Sequence, residues 1–102
     1  MSDQEPKNDV EISELINQLD LKFNDSQYLR RILKFLRDKD EIGNVYKEIE
    51  NGLGHPVGST CRKLKKINDS IDLDNLNKIG FKKRPLGRKD LIMFLLDKLK
   101  KL

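Results

Sequence analysis

Apolar residues recur along this chain at helical spacing, in short runs that are each closed by residues typical of turns. Ile12, Leu15, Ile16 and Leu19 stand at positions i, i+3, i+4 and i+7, as expected for a helix that buries one face. Asn, Asp, Ser, Gly and Pro cluster between the runs, where they favour caps and turns. No segment has a convincing strand pattern. The sequence therefore predicts an all-α fold, a small bundle of five or six short helices.

The length of 102 residues fits one domain, and 36% hydrophobic residues are enough for a small helical core. Residues 1–9 lack apolar periodicity, so we expect a flexible acidic tail followed by a single helical domain over residues 10–102. The lone cysteine, Cys61, excludes an internal disulfide and favours a reducing compartment, cytoplasmic or nuclear. No apolar run reaches the roughly 18 residues of a membrane span, so no membrane partner is expected.

Charge is distributed unevenly between the two halves of the chain. Residues 1–50 hold eight Lys/Arg and twelve Asp/Glu, a net charge of −4, whereas residues 51–102 hold thirteen and five, a net charge of +8. A basic half of this kind indicates an anionic partner, most often nucleic acid, with DNA favoured over RNA. The alternative is a solvated charge run that only keeps the protein soluble.

Residues 46–67 combine two helical runs, a glycine turn and a basic second helix, predicted over about 57–67 with Pro56 at its first position. Gly54 lies in the turn. Small polar residues begin the second helix, and Arg and Lys then flank two apolar core positions. The matching residues are Gly54, Ser59, Thr60, Arg62, Leu64, Lys65 and Ile67. This arrangement resembles the helix-turn-helix family of DNA-binding domains. The resemblance implies that the second helix enters a DNA groove while its first turn meets phosphates.

The segment departs from the helix-turn-helix pattern at two positions. Glu50 stands where the family has a small residue in the first helix, and Thr60 stands at a core valine position. The alternative interpretation is a plain helical hairpin with a solvated basic face.

The last third of the chain carries a basic loop and a second resemblance. Gly87, Lys89, Ile92 and Leu96 resemble the second half of the SAP family of helix–loop–helix DNA binders. A winged helix with residues 82–89 at the tip of a hairpin is the alternative. Phe81, beside the basic run, is the best aromatic candidate for stacking on a base.

The predicted nucleic-acid contacts are the small polar residues and cations of these two segments. They are Ser59, Thr60, Arg62, Lys63, Lys65, Lys66, Lys82, Lys83, Arg84, Arg88 and Lys89. Neutralising six to ten phosphates with such a set would give the steep salt dependence that is typical of DNA binding.

Residues 90–102 supply the rival class of function, a protein-interaction or accessory subunit. Leucine, isoleucine and phenylalanine cover more of this predicted helix than one buried face requires. We therefore expect part of it to stay exposed and to form a homodimer or a contact with another protein.

Signatures of catalysis are weak, so we expect no enzyme activity, cofactor or metal. The glycine-rich stretch 52–60 lacks the lysine and the preceding strand of a phosphate-binding loop. His55, the only histidine, is six residues from Cys61 and off the same helical face, which disfavours a nucleophile pair.

Overall fold

Six α-helices make up the described part of the chain, residues 7–82 and 87–101 of a computed structural model, and no strand occurs in these ranges. The all-α prediction is thus confirmed. The helices are α1 (Lys7–Asn17), α2 (Phe23–Arg37), α3 (Val45–Leu53), α4 (Ser59–Ser70), α5 (Leu73–Lys78) and α6 (Asp90–Lys100). The first helix begins inside the predicted tail, whose residues 1–6 lie outside the described ranges. Within the described ranges, none of the helices combines the length and the apolar character needed to cross a membrane.

The central element is α2, the longest helix described, which packs against α1, α3 and α6. Its apolar stripe of Leu29, Ile32, Leu33 and Leu36 is fully buried. This stripe follows the i, i+3, i+4, i+7 pattern, which places all four side chains on one face. The helix α4 packs on α3, so α3 lies between α4 and the central helix.

Arg37, in the last turn of α2, connects three helices. Its guanidinium Nη2 lies 3.0 Å from Glu11 Oε1 on α1 and donates a hydrogen bond of 3.1 Å to the Leu99 carbonyl of α6. The last carbonyls of a helix have no hydrogen-bond partner inside the helix and carry partial negative charge. A cation at this position donates a hydrogen bond to such a carbonyl and compensates its charge. The bundle is therefore tied at one end by a single side chain.

The apolar arc of the last helix is mostly buried, so the exposed part that the sequence predicts is small. Leu91, Ile92, Leu95, Leu96 and Leu99 are buried, because α1 and α2 pack against α6. Among the described residues of this helix, Met93 is the one large apolar side chain that is exposed. The wide apolar arc is thus core, while Leu102 lies outside the described ranges. A homodimer or protein contact through residues 90–102 stays a prediction, without the exposed surface that suggested it.

Phe81 is also part of the core and not a stacking platform. Gly80 adopts a left-handed φ of 88° after α5, and the Phe81 amide donates to the Leu76 carbonyl at 3.0 Å. This Schellman ending turns the chain inward at the residue after the glycine. The Phe81 ring meets Phe94 edge to face at 4.9 Å and is only 4% exposed. Its aromatic face is therefore closed to a base.

We expect Phe81→Ala to lower the free energy of unfolding by about 3–5 kcal/mol, the usual cost of truncating a buried aromatic residue. Phe23→Ala is the matched control, because Phe23 is 69% exposed, and its effect should stay within about 0.5 kcal/mol. Urea denaturation followed by circular dichroism measures both values. Equal losses in the two variants would contradict the assignment of Phe81 to the core.

Candidate nucleic-acid interface

The turn between α3 and α4 contains two glycines with left-handed backbone. Gly54 has φ 71° and ends α3, as its place in the predicted turn suggested, and Gly58 has φ 82° just before α4. The helix α4 runs from Ser59 to Ser70, later at both ends than predicted. Pro56 lies in the turn, where its carbonyl accepts hydrogen bonds from the Ser59 amide at 3.1 Å and the Ser59 hydroxyl at 2.7 Å.

Glu50 fixes the shape of this turn from the last part of α3. Its carbonyl accepts from the His55 amide at 3.0 Å, and its carboxylate Oε2 accepts from the Gly58 amide at 3.0 Å. The side chain is buried, with a residue exposure of 7%. A small residue at this position, as in the helix-turn-helix pattern, could not make the second bond. The departure from the family pattern therefore has a structural role.

One flank of α4 faces an open cleft of about 410 Å³, which we call the α2–α4 cleft. Aromatic and apolar groups come from α2 and the turn, and cations come from α4. The lining residues are Tyr28, His55, Pro56, Ser59, Arg62, Lys63 and Lys66.

Two aromatic rings form one wall of the α2–α4 cleft. The rings of Tyr28 and His55 stack with centroids 5.6 Å apart and planes inclined by 18°. Lys63 Nζ lies 5.7 Å from the Tyr28 centroid and 3.1 Å from Asp25 Oδ1, so part of its charge is already compensated. Arg62 and Lys66 are exposed, and neither makes an ion pair within the described ranges.

The other flank of α4 is joined to the end of the basic loop. Asn68, buried on α4, donates from Nδ2 to the carbonyls of Gly87 and Arg88, each at 3.1 Å. Gly87 is also bound from α6, because its amide donates to Asp90 Oδ2 at 2.9 Å. A second cleft of about 280 Å³ lies here, lined by Lys65, Asn68, Asp69, Gly87 and Arg88. Residues separated by about twenty positions in sequence thus meet on one surface.

Most of the predicted contact residues are accessible. Exposed side chains include Arg62, Lys65, Lys66, Lys82, Arg88 and Lys89. Ser59 and Lys63 are partly buried and line the cleft, and Lys65 pairs with Asp69 at 2.9 Å. Lys83 and Arg84 lie outside the described ranges. The region between α5 and α6 shows no strand in residues 79–82 and 87–89, the described part of the predicted hairpin tip.

The prediction that Thr60 faces a partner is wrong, because its exposure is 0%. Thr60 shares the inner face of α4 with Leu64 and Ile67, so it occupies the core position that the family fills with valine. Its hydroxyl lies near the Tyr28 hydroxyl. Within the described ranges, neither oxygen has a partner with the geometry of a hydrogen bond.

Burial raises the pKa of the Tyr28 phenol above its ordinary value. The Thr60 hydroxyl and the Lys63 charge act in the opposite direction, and Glu50 adds a smaller increase. Tyr46 behaves similarly, since burial is the first cause of its raised pKa. Both phenols therefore resist ionisation while the protein is folded.

Sequence reasoning missed Glu50 as a turn residue and Asn68 as the link to the basic loop. Asn68 follows the predicted end of the helix at residue 67, yet it stands four residues after Leu64 and eight after Thr60, on the inner face. No family model, curated protein or solved structure matches this chain. The helix-turn-helix and SAP resemblances accordingly stay predictions.

Asn68→Ala should release the end of the basic loop and cost about 1–3 kcal/mol of folding free energy, the value of two hydrogen bonds. Hydrogen exchange at the amides near Gly87 should accelerate as well. Asn77→Ala, at an exposed position of α5, is the control and should change neither quantity appreciably. Equal exchange rates in the two variants would argue against the Asn68 link.

The raised tyrosine pKa values predict a loss of stability in alkaline solution. The unfolded chain ionises its tyrosines near pH 10, below the pKa values of the folded state. The stabilising contribution is thus fully present below about pH 10 and is lost as the pH rises through the folded pKa. Tyr28→Phe should flatten this decline, measured by urea denaturation at several pH values, and an unchanged slope would contradict the burial of the phenol.

Proposed function

We propose that this chain is a non-catalytic nucleic-acid-binding protein whose preferred partner is duplex DNA. The observation that carries the proposal is the link made by Asn68, which joins the end of the basic loop to α4. Two basic segments that are far apart in sequence thereby contribute to one surface. Such a surface is the expected footprint for a phosphate backbone.

Exposure of the cations supports the proposal. Arg62 and Lys66 on one flank of α4, and Arg88 at the loop end, have accessible side chains that make no ion pair within the described ranges. Acidic residues of α1 belong to a different surface, since Glu11 and Glu14 line a groove with Lys98 and Lys101. That groove shares no residue with the α2–α4 cleft. Glu11 and Glu14 thus lie away from the α2–α4 cleft, where Lys63 is the lining cation that pairs with an acidic side chain, Asp25, among the described residues.

In the proposed complex α4 is the helix that approaches the DNA groove. Its twelve residues span about 18 Å, enough to cross a major groove about 12 Å wide. Arg62, in the first half of the helix, is the candidate for contact with base edges. Lys66, Lys65 and Arg88 would contact phosphates, which position the helix without reading sequence. Binding and positioning of this kind need no catalytic group.

The experiment is a binding series with labelled duplex DNA, single-stranded DNA and duplex RNA, measured by fluorescence anisotropy at several salt concentrations. We expect the tightest binding to duplex DNA. Lys66→Ala and Arg88→Ala should each weaken binding to all sequences and reduce the salt slope by about one. Arg62→Ala should cost about 1–3 kcal/mol on a preferred sequence and relax the preference.

Lys101→Ala is the matched control, because it removes the same charge from the groove that Glu11 and Glu14 line. Its salt slope should equal that of the unmodified protein. A slope lowered as much by Lys101→Ala as by Lys66→Ala would show that only net charge matters. Absence of binding to all three nucleic acids would refute the proposed function.

A further inference from the structure

The α2–α4 cleft has a chemistry that a phosphate backbone alone does not require. The stacked rings of Tyr28 and His55, together with Pro56, give it an aromatic and mostly apolar wall. Arg62 and Lys66 supply positive charge at its rim. Phosphate contacts need only the cations, so the aromatic wall calls for a second component in the ligand.

The two rings of the wall are fixed before any ligand arrives. The Tyr28 hydroxyl is buried beside Thr60, and Lys63 Nζ lies 5.7 Å from the centroid of the ring. The His55 amide is bound to the Glu50 carbonyl, which holds the backbone under the imidazole. A site that is already formed loses little conformational freedom on binding. The volume of about 410 Å³ lies in the range of small-molecule sites.

A ligand that suits this cleft has a flat aromatic part and a negative charge close to it. No carboxylate is among the lining residues, and the nearest acidic partner described for a lining cation, Asp25, is bound to Lys63. A nucleotide has both parts, because its base can stack on aromatic and apolar side chains while its phosphate binds cations.

We propose that the α2–α4 cleft binds one unpaired nucleotide, with its base against the wall of Tyr28, His55 and Pro56 and its phosphate at Arg62 and Lys66. The nucleotide is either free in solution or an unpaired residue of a bound strand, and in the second case the inference rests on the proposed function. Lys65 lies on the other flank of α4, next to Arg88 at the loop end, so a strand with one unpaired residue would use both flanks.

His55 offers a direct readout, because it is the only histidine in the chain and its ring protons give single resonances in a proton NMR spectrum. We expect adenosine monophosphate to shift these resonances saturably. Inorganic phosphate at equal pH and ionic strength should not produce this shift. A shift of the same size with phosphate would reduce the cleft to a general anion site and overturn the proposal.

Two neighbouring lysines of α4 form the matched pair of variants. Lys66 lines the α2–α4 cleft, whereas Lys65 lies on the other flank with Asp69. Lys66→Ala should weaken adenosine monophosphate binding about tenfold, and Lys65→Ala should leave it unchanged. Tyr28→Leu should weaken it about ten- to hundredfold through loss of stacking, with circular dichroism as the check on folding. Equal effects of the two lysine variants would overturn the assignment.

A pair of duplexes separates the sources and tests the two proposals independently. One duplex is blunt, and the other carries a single unpaired adenosine at one end. Tighter binding of the second duplex, lost in Tyr28→Leu, supports an unpaired residue of a strand; a response to adenosine monophosphate alone supports the free nucleotide. The cleft proposal fails, and duplex binding stands, if adenosine monophosphate and the duplex with the unpaired adenosine shift the His55 resonances no more than the blunt duplex does. If adenosine monophosphate binds and no duplex does, the proposed function fails and the cleft proposal stands.

Discussion

The burial of α2 in the centre of the bundle determines the position of the other helices that matter for function. Four fully buried side chains of this helix meet α1, α3 and α6, and burying each of them contributes about 1.5–3 kcal/mol. The same helix supplies Tyr28 to the α2–α4 cleft and Asp25 to the ion pair with Lys63. The core and one flank of the candidate interface are therefore built on adjoining positions of one element, since Tyr28 stands four residues before the buried Ile32. A change in the tilt of α2 would alter both.

The acidic and basic halves of the sequence are not separate structural units. Ile12, Leu15 and Ile16 of the acidic first helix are buried in the common core, and Glu11 pairs with Arg37. Removing the acidic segment would open the core that also supports α6. On the folded surface Glu11 and Glu14 share a groove with Lys98 and Lys101 of the basic half, and Arg62 and Lys66 line a different cleft.

Helical spacing was sufficient to predict the fold class and the approximate places of the helices, because each apolar run describes one buried face. It does not show which helices meet, and the structure differs from the sequence predictions at three places. The wide apolar arc of α6 suggested an exposed surface, but α1 and α2 cover it. Phe81 was assigned to the basic loop, although Gly80 before it is the usual signal of a Schellman ending with an apolar contact.

The third difference concerns polar residues on the inner face of α4. Residue type alone predicts Thr60 as a contact residue and assigns no structural role to Asn68, whereas their place on the helical face predicts burial. Counting from Leu64 in steps of four reaches both of them. A buried polar residue on such a face needs a partner, and for Asn68 the partners are backbone carbonyls of a distant loop. The sequence around Asn68 does not identify these partners, since every residue of a loop has a backbone carbonyl.

The turn between α3 and α4 is held through main-chain amides, and this determines which substitutions the turn can accept. Glu50 binds the amides of His55 and Gly58, so the side chains between them are not needed to hold the two helices together. The side chain of Val57 is accordingly 91% exposed, so it contributes little to the packing of the bundle. Substitutions at this position are open to selection for a new partner without a penalty in folding. Position 57 is thus a place in this turn where a change of side chain should leave the arrangement of helices intact.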